Sequence, residues 1–129
     1  MTAAYAAFFN GGRAVTPYAI VTAVADKKPV QIGWIAPRPA INPDLAAMMV
    51  RMMAEVVRSG TGRAAAVPGR FVAGKTGTTQ DNRDAWFIGC VAGRVIGVWV
   101  GNDDGTPMRG VMGGGLPSVL FREVAGAVR

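Results

Sequence analysis

Histidine is absent from all 129 residues, and cysteine occurs once, at Cys90. The first absence removes every triad with an imidazole base, the common zinc sites and any Cys–His nucleophile pair. The second removes any internal disulfide, and one thiol says little about redox compartment. Leucine is scarce, with three copies against seven methionines. No uncharged apolar run approaches the roughly 18 residues that span a bilayer. The opening MTAAYAAFFNGG lacks the basic stretch that begins a secretory signal. An anchor or export signal is expected to lie outside this chain.

What is there is globular. Half of the residues are hydrophobic, mainly Ala and Val, and 17% are charged, which suits one domain with a packed core. The formal charge of +6 comes from arginines scattered singly along the chain. No basic run and no aromatic-interleaved motif accompanies them, so nucleic acid is not an expected partner. A non-catalytic binding or scaffold domain using the basic surface stays open at this point.

TAAYAAFFNGG reads as a short helix capped by Thr2 and stopped at Asn10-Gly11-Gly12. YAIVTAV and VQIGWI read as two strands joined through Asp26-Lys27-Lys28-Pro29, and APRPAINP as a loop. A second helix starts at Asn42-Pro43-Asp44, which supply an N-cap, a proline at the first position and a charge suited to the dipole. Leu45, Met48, Met49, Met52 and Val56 give it one apolar face, expected to pack on a sheet. Ser59-Gly60 ends it, with Gly60 expected in the left-handed conformation.

Three further strands follow: RFVAGKTG, AWFIGCV and RVIGVWVG. Ala92-Gly93 between the last two suits a tight hairpin, and their apolar runs predict a sheet covered on both faces. A Gly-rich stretch leads to a last helix, PSVLFREVAGAVR, burying Leu120, Val124 and Ala127 or their neighbours. Trp86, Phe87 and Trp99 are expected in the core or on sheet faces, Asp84, Asn102 and Asp103 in loop-holding roles, and Cys90 buried and inert. The sum is an α+β fold, a three-stranded antiparallel sheet flanked by helices.

PGRFVAGKTGTTQDNRDAW, residues 68–86, carries two incompatible patterns. Gly69 to Thr76 spells G-x-x-x-x-G-K-T, the spacing of a phosphate-cradling P-loop and a nucleotide-binding module. That loop needs a strand before it and a helix starting at Lys75-Thr76. Here the intervening residues are bulky and β-prone, and Gly77-Thr78-Thr79 follows. The triplet K-T-G instead demands a strand, which the alternation RFVAGKTG provides. A lysine at a strand end supplies fixed charge for a proton relay and an anionic substrate. Thr hydroxyls can bind a carboxylate, Gly lets substrate lie alongside, and a backbone N–H can meet an oxyanion.

AGKTGTTQDNRDAWFIGCVAGRVIGVWVGNDDGTPM resembles the C-terminal part of the transpeptidase domain of class A penicillin-binding proteins, the bifunctional peptidoglycan synthases. AAYAAFFNGG with Pro17 and GTGRAAAVPGRFVAGKTG are similar to family segments as well, so the likeness runs along essentially residues 1–129. It implies a fragment of the penicillin-binding, β-lactamase-like fold, with no cofactor and no metal. It implies Lys75 as an active-site lysine, and Thr76, Gly77, Thr78 and Thr79 along the substrate, with the Thr78 N–H as oxyanion donor. The implied partners are peptidoglycan stem peptides and β-lactams. The implied location is the periplasmic face of the inner membrane, with the parent anchored by an N-terminal helix.

The family nucleophile is the Ser of S-x-x-K, and S-x-N completes the relay. Ser59 and Ser118 are the two serines here, and neither begins either motif. The chain is therefore expected to be an incomplete transpeptidase domain, inactive alone, completed by an N-terminal part of the same domain. Met112 stands where the family tends to have Thr. Without a neighbouring strand, RVIGVWVG is expected to expose an apolar edge and promote self-association.

Overall fold

The computed structural model describes residues 1–31, 33 and 35–128. Among the described residues there are three α-helices: α1 (Thr2–Phe9), α2 (Pro43–Arg58) and α3 (Leu116–Ala127). The strands are β1 (Arg13–Ala14), β2 (Thr22–Ala25), β3 (Lys28–Gln31), β4 (Arg38–Pro39), β5 (Val72–Thr78), β6 (Asp84–Val91) and β7 (Arg94–Gly101). The main sheet is antiparallel in the order β5-β6-β7, as expected for the α+β fold. Short pairs β2-β3 and β1-β4 stand apart from it. The β1-β4 bridge crosses the stretch expected to be a loop; two residues per strand leave no periodicity to read.

The β6–β7 turn is the expected hairpin, with Ala92 at φ +48° and Gly93 at φ +72°. Two successive positive φ values match the twist of the strands they join. The β2–β3 turn repeats this with Asp26 and Lys27, at φ +51° and +63°. Pro29 therefore belongs to β3, opposite Val24, and not to the turn. The predicted continuation of that strand through Ile32 and Trp34 lies outside the described residues, as does the end of the last helix at Arg129.

The core is built around β6, whose Ala85 and Phe87 to Val91 are all buried. Phe87 faces Phe121 of α3 with ring centroids 4.7 Å apart, and Val57, Ala65, Val72 and Val91 close the cluster. On the other face Thr2 of α1 lies against Gly97 of β7. Coverage on both faces thus holds for β6, while edge strand β7 is only partly buried. Trp99 is one of its exposed residues, lying against Trp86 and donating from Nε1 to Asp84 Oδ1 at 2.8 Å. Cys90 is buried, and burial pushes its thiol above the ordinary range, which disfavours the reactive thiolate.

Four expectations need correction. Thr2 is the first residue of α1 and not its cap, which is Met1. Gly60 is not left-handed; a Cβ there would come 2.9 Å from Val56 Cα, so its glycine answers a close approach. In α2 the buried residues are Ala46, Met53 and Val57, while Leu45, Met48, Met49 and Met52 are exposed. At about 100° per residue the burying face is turned roughly a quarter to a third of a circle from the Met stripe. In α3 the buried set is Pro117, Ser118, Phe121 and Ala125, whereas Leu120 and Val124 are exposed. Both helices carry apolar residues on two faces, and periodicity alone does not choose between them.

Candidate active site

The end of β5 is fixed from three sides. In register, Thr76 stands opposite Phe87, Gly77 opposite Trp86 and Thr78 opposite Ala85. Strand alternation sends Thr76 and Thr78 to one face and Lys75, Gly77 and Thr79 to the other. The outer edge of β5 has no strand partner among the described residues.

The Thr76/Thr78 face opens on a groove of about 440 Å³ that Thr61, Met112 and Gly114 also line. Thr61 Oγ1 and Thr76 Oγ1 are 2.7 Å apart. The Gly113 N–H donates to Thr78 Oγ1 at 3.0 Å. Gly113 is held in turn by Ser118, whose buried hydroxyl donates to the Gly113 carbonyl at 2.7 Å. Glycine is required in this turn, because a Cβ on Gly113 would overlap the Trp86 carbonyl and one on Gly114 the Thr61 carbonyl. At Gly77 packing makes no such demand. A Cβ there would meet only Trp86 Cβ, at an ordinary 3.5 Å.

Lys75 lines a second groove of about 260 Å³ with Tyr5, Trp86 and Ile88. Its ammonium donates to the Thr76 carbonyl at 2.6 Å. The ion pairs among the described residues are Glu55–Arg58, Asp81–Arg83 and Glu123–Arg122, so the Lys75 charge is not neutralised by any of them.

Thr79 lines the same groove as Lys75. Its hydroxyl accepts from the Asp84 N–H at 2.7 Å and donates to Asp84 Oδ2 at 3.2 Å, closing the loop between β5 and β6. Asp84 and Asn102 do hold loops as expected, Asn102 through Thr106. Ser118 is buried as above, and the exposed Ser59 donates to the Glu55 carbonyl at the end of α2. Lys75-Thr76 sits within a strand and not at a helix start, so the P-loop spacing has no dipole or N–H cradle behind it. Thr61, Gly113 and Ser118 were not singled out from sequence. Their only signals were the glycines flanking Thr61 and the run at residues 113–115.

A groove of similar volume lies at the far end of the sheet, between Phe71, Cys90 and Ala92. Its one charged lining residue, Arg70, is spent on the carbonyls of Ala125 and Val128. That leaves it short of polar groups to orient a ligand.

A strand bearing Lys-Thr-Gly thus has no strand partner on its outer edge among the described residues, and two of its threonines line one groove. The chain belongs to the penicillin-binding protein transpeptidase domain family, whose model matches residues 1–124. It is 42% identical over 125 residues to penicillin-binding protein 1A of Neisseria meningitidis serogroup A, covering 90% of this chain and 15% of that protein. Penicillin-binding protein 1A of Neisseria flavescens is 40% identical over 131 residues, covering 95% and 16%. Among solved structures, the D,D-transpeptidase domain of a peptidoglycan glycosyltransferase from Eggerthella lenta is similar with a TM-score of 0.72 and 28% identity. That match covers 95% of this chain and 30% of the other. The chain thus spans about a sixth of the length of these curated relatives.

Proposed function

We propose that this chain forms one wall of a D,D-transpeptidase active site that cross-links peptidoglycan stem peptides through a serine acyl-enzyme and is acylated by β-lactams. The observation that carries this reading is the β5 end, where two backed hydroxyls line one groove, Lys75 lines a second beside them, and the outer edge has no strand partner among the described residues. Thr76 and Thr78 bind the substrate carboxylate, and Lys75 supplies charge for that anion and for proton transfer. The vacant side of Gly77 lets the acyl chain lie along β5 as an added strand. The Thr78 N–H takes one side of the oxyanion. Thr79 shapes the strand end through Asp84. The nucleophile and its base come from S-x-x-K in an N-terminal part of the same domain. No helix among the described residues is long and apolar enough to cross a membrane. The parent is anchored by a helix elsewhere and works on the periplasmic face of the inner membrane.

Fluorescent penicillin tests this reading. The parent protein should label covalently, and Thr78→Val should slow labelling by about tenfold, the usual cost of losing one hydrogen bond to a charged group. The isolated 129 residues should not label, since neither Ser59 nor Ser118 begins S-x-x-K. A parent with S-x-x-K that never labels would sink the reading.

Self-association of the isolated chain is also part of this proposal. The outer edge of β7 is unpaired among the described residues, and the Leu45/Met48/Met52 stripe of α2 is more than half exposed. Both are surfaces that associate in water. Light scattering across a concentration series should show dimers or larger species; a monodisperse monomer at high concentration speaks against it.

A further inference from the structure

Thr61 lies outside the K-T-G strand, yet its hydroxyl touches that of Thr76 at 2.7 Å. Its place is fixed by the end of α2. The Gly60 N–H donates to the Glu55 carbonyl at 3.1 Å and the Gly62 N–H to the Val56 carbonyl at 2.9 Å. Gly114 then packs over the Thr61 carbonyl, closing the residue between the α2 cap and the glycine turn.

A hydroxyl has one proton to give and two lone pairs to accept with. Thr78 accepts from the Gly113 N–H, so its own proton is free for the groove. A backbone N–H cannot reverse this bond, so the Thr78 proton stays available to a ligand. Thr76 has Thr61 as its partner in the same position behind it. The Thr61–Thr76 bond can run either way, and a carboxylate in the groove decides its direction. For Thr76 to donate to the anion, Thr61 must donate to Thr76.

We infer that Thr61 is a positioning residue for carboxylate recognition, donating to Thr76 Oγ1 so that this oxygen is held in place while the Thr76 proton points to the anion. The inference rests on the transpeptidase reading above. The hydroxyls of Thr76 and Thr78 then form a matched pair, each with a donor behind it. Thr61 lines the same groove, and its hydroxyl acts on the anion through Thr76.

The test uses the parent protein and two β-lactams, benzylpenicillin and its methyl ester, with second-order acylation rates as the readout. Thr61→Val should slow acylation by benzylpenicillin by about tenfold, the scale of a hydrogen bond to a charged group. Thr61→Ser should restore most of the rate. With the methyl ester, Thr61→Val and the natural protein should react alike, because the ester has no charge to recognise. In a Thr76→Val background, Thr61→Val should cost nothing further. Equal losses on acid and ester would show a merely structural role and overturn the inference. So would an unchanged rate on the acid, or an additive loss in the Thr76→Val background. Failure of the natural protein to react with either compound would instead overturn the transpeptidase reading, and this inference with it.

Discussion

Lys75→Ala in the parent protein should lower the acylation rate by roughly 10²–10⁴-fold, the usual contribution of a positioned proton-transfer group. The prediction follows from how little else holds the lysine. Its ammonium makes one hydrogen bond, to the Thr76 carbonyl, and it takes part in no ion pair among the described residues. The side chain is exposed, so its removal leaves no cavity and thermal stability should change little. Lys75→Arg separates charge from proton transfer. Guanidinium keeps the positive charge and does not deprotonate in proteins. The arginine variant should retain part of the affinity for anionic substrates while acylation stays slow. An alanine variant within a few-fold of the natural rate would remove Lys75 from the mechanism. Loss of tight ATP binding in the same variant would argue for a nucleotide site instead.

The largest stability effect is expected at Phe87. Its side chain is fully buried, stacked edge-on against Phe121 and pressed between Gly74 and Gly89. A Cβ on Gly89 would come 2.8 Å from the Phe87 ring, which shows how closely the backbone wraps it. Phe87→Ala should therefore destabilise by about 3–5 kcal/mol, from lost burial plus an unfilled cavity. That is a large share of the roughly 5–15 kcal/mol that holds a domain together. A shift of the urea midpoint, followed by near-UV circular dichroism, measures it. Phe87 is also the register partner of Thr76, so the same variant should slow acylation more than Lys75-independent packing changes elsewhere. Gly74→Ala makes the complementary test. A Cβ there would lie 2.8 Å from the Ile88 carbonyl, and overpacking of that kind costs about 1–3 kcal/mol. Phe87→Ala at near-natural stability would mean the core is centred elsewhere.

Much of this was legible before any coordinates. The K-T-G strand, the Ala92-Gly93 hairpin and the bounds of α2 are written in short-range rules: alternation, turn residues and caps. The Asn42 side chain does accept from the Asp44 and Leu45 N–H groups as an N-cap should. The choice of buried helix face was not legible. Leu45-Met48-Met52 and Ala46-Met53-Val57 are both apolar stripes, and which one meets β5 depends on tertiary contacts that a window of sequence does not contain. Nor were the latches around the groove. Thr61, Thr76 and Thr78, and Gly113 come from three separate segments, and no local pattern joins them. The hydrogen-bond partner of Thr79 was not legible either. This threonine continues the Thr run of the strand, yet its hydroxyl turns back to Asp84.

The main sheet also has a bearing on how the chain reaches this arrangement. β5, β6 and β7 follow one another in sequence and in space, joined by five residues and then by two. Such a meander closes through short loops, and short loops cost little chain entropy to form. Proteins rich in contacts between near neighbours fold fast, since few distant segments must find each other first. The sheet that carries Lys75, Thr76 and Thr78 can thus assemble early, as a local unit. The groove also needs residues 61 and 113, which reach the threonines from outside that local unit.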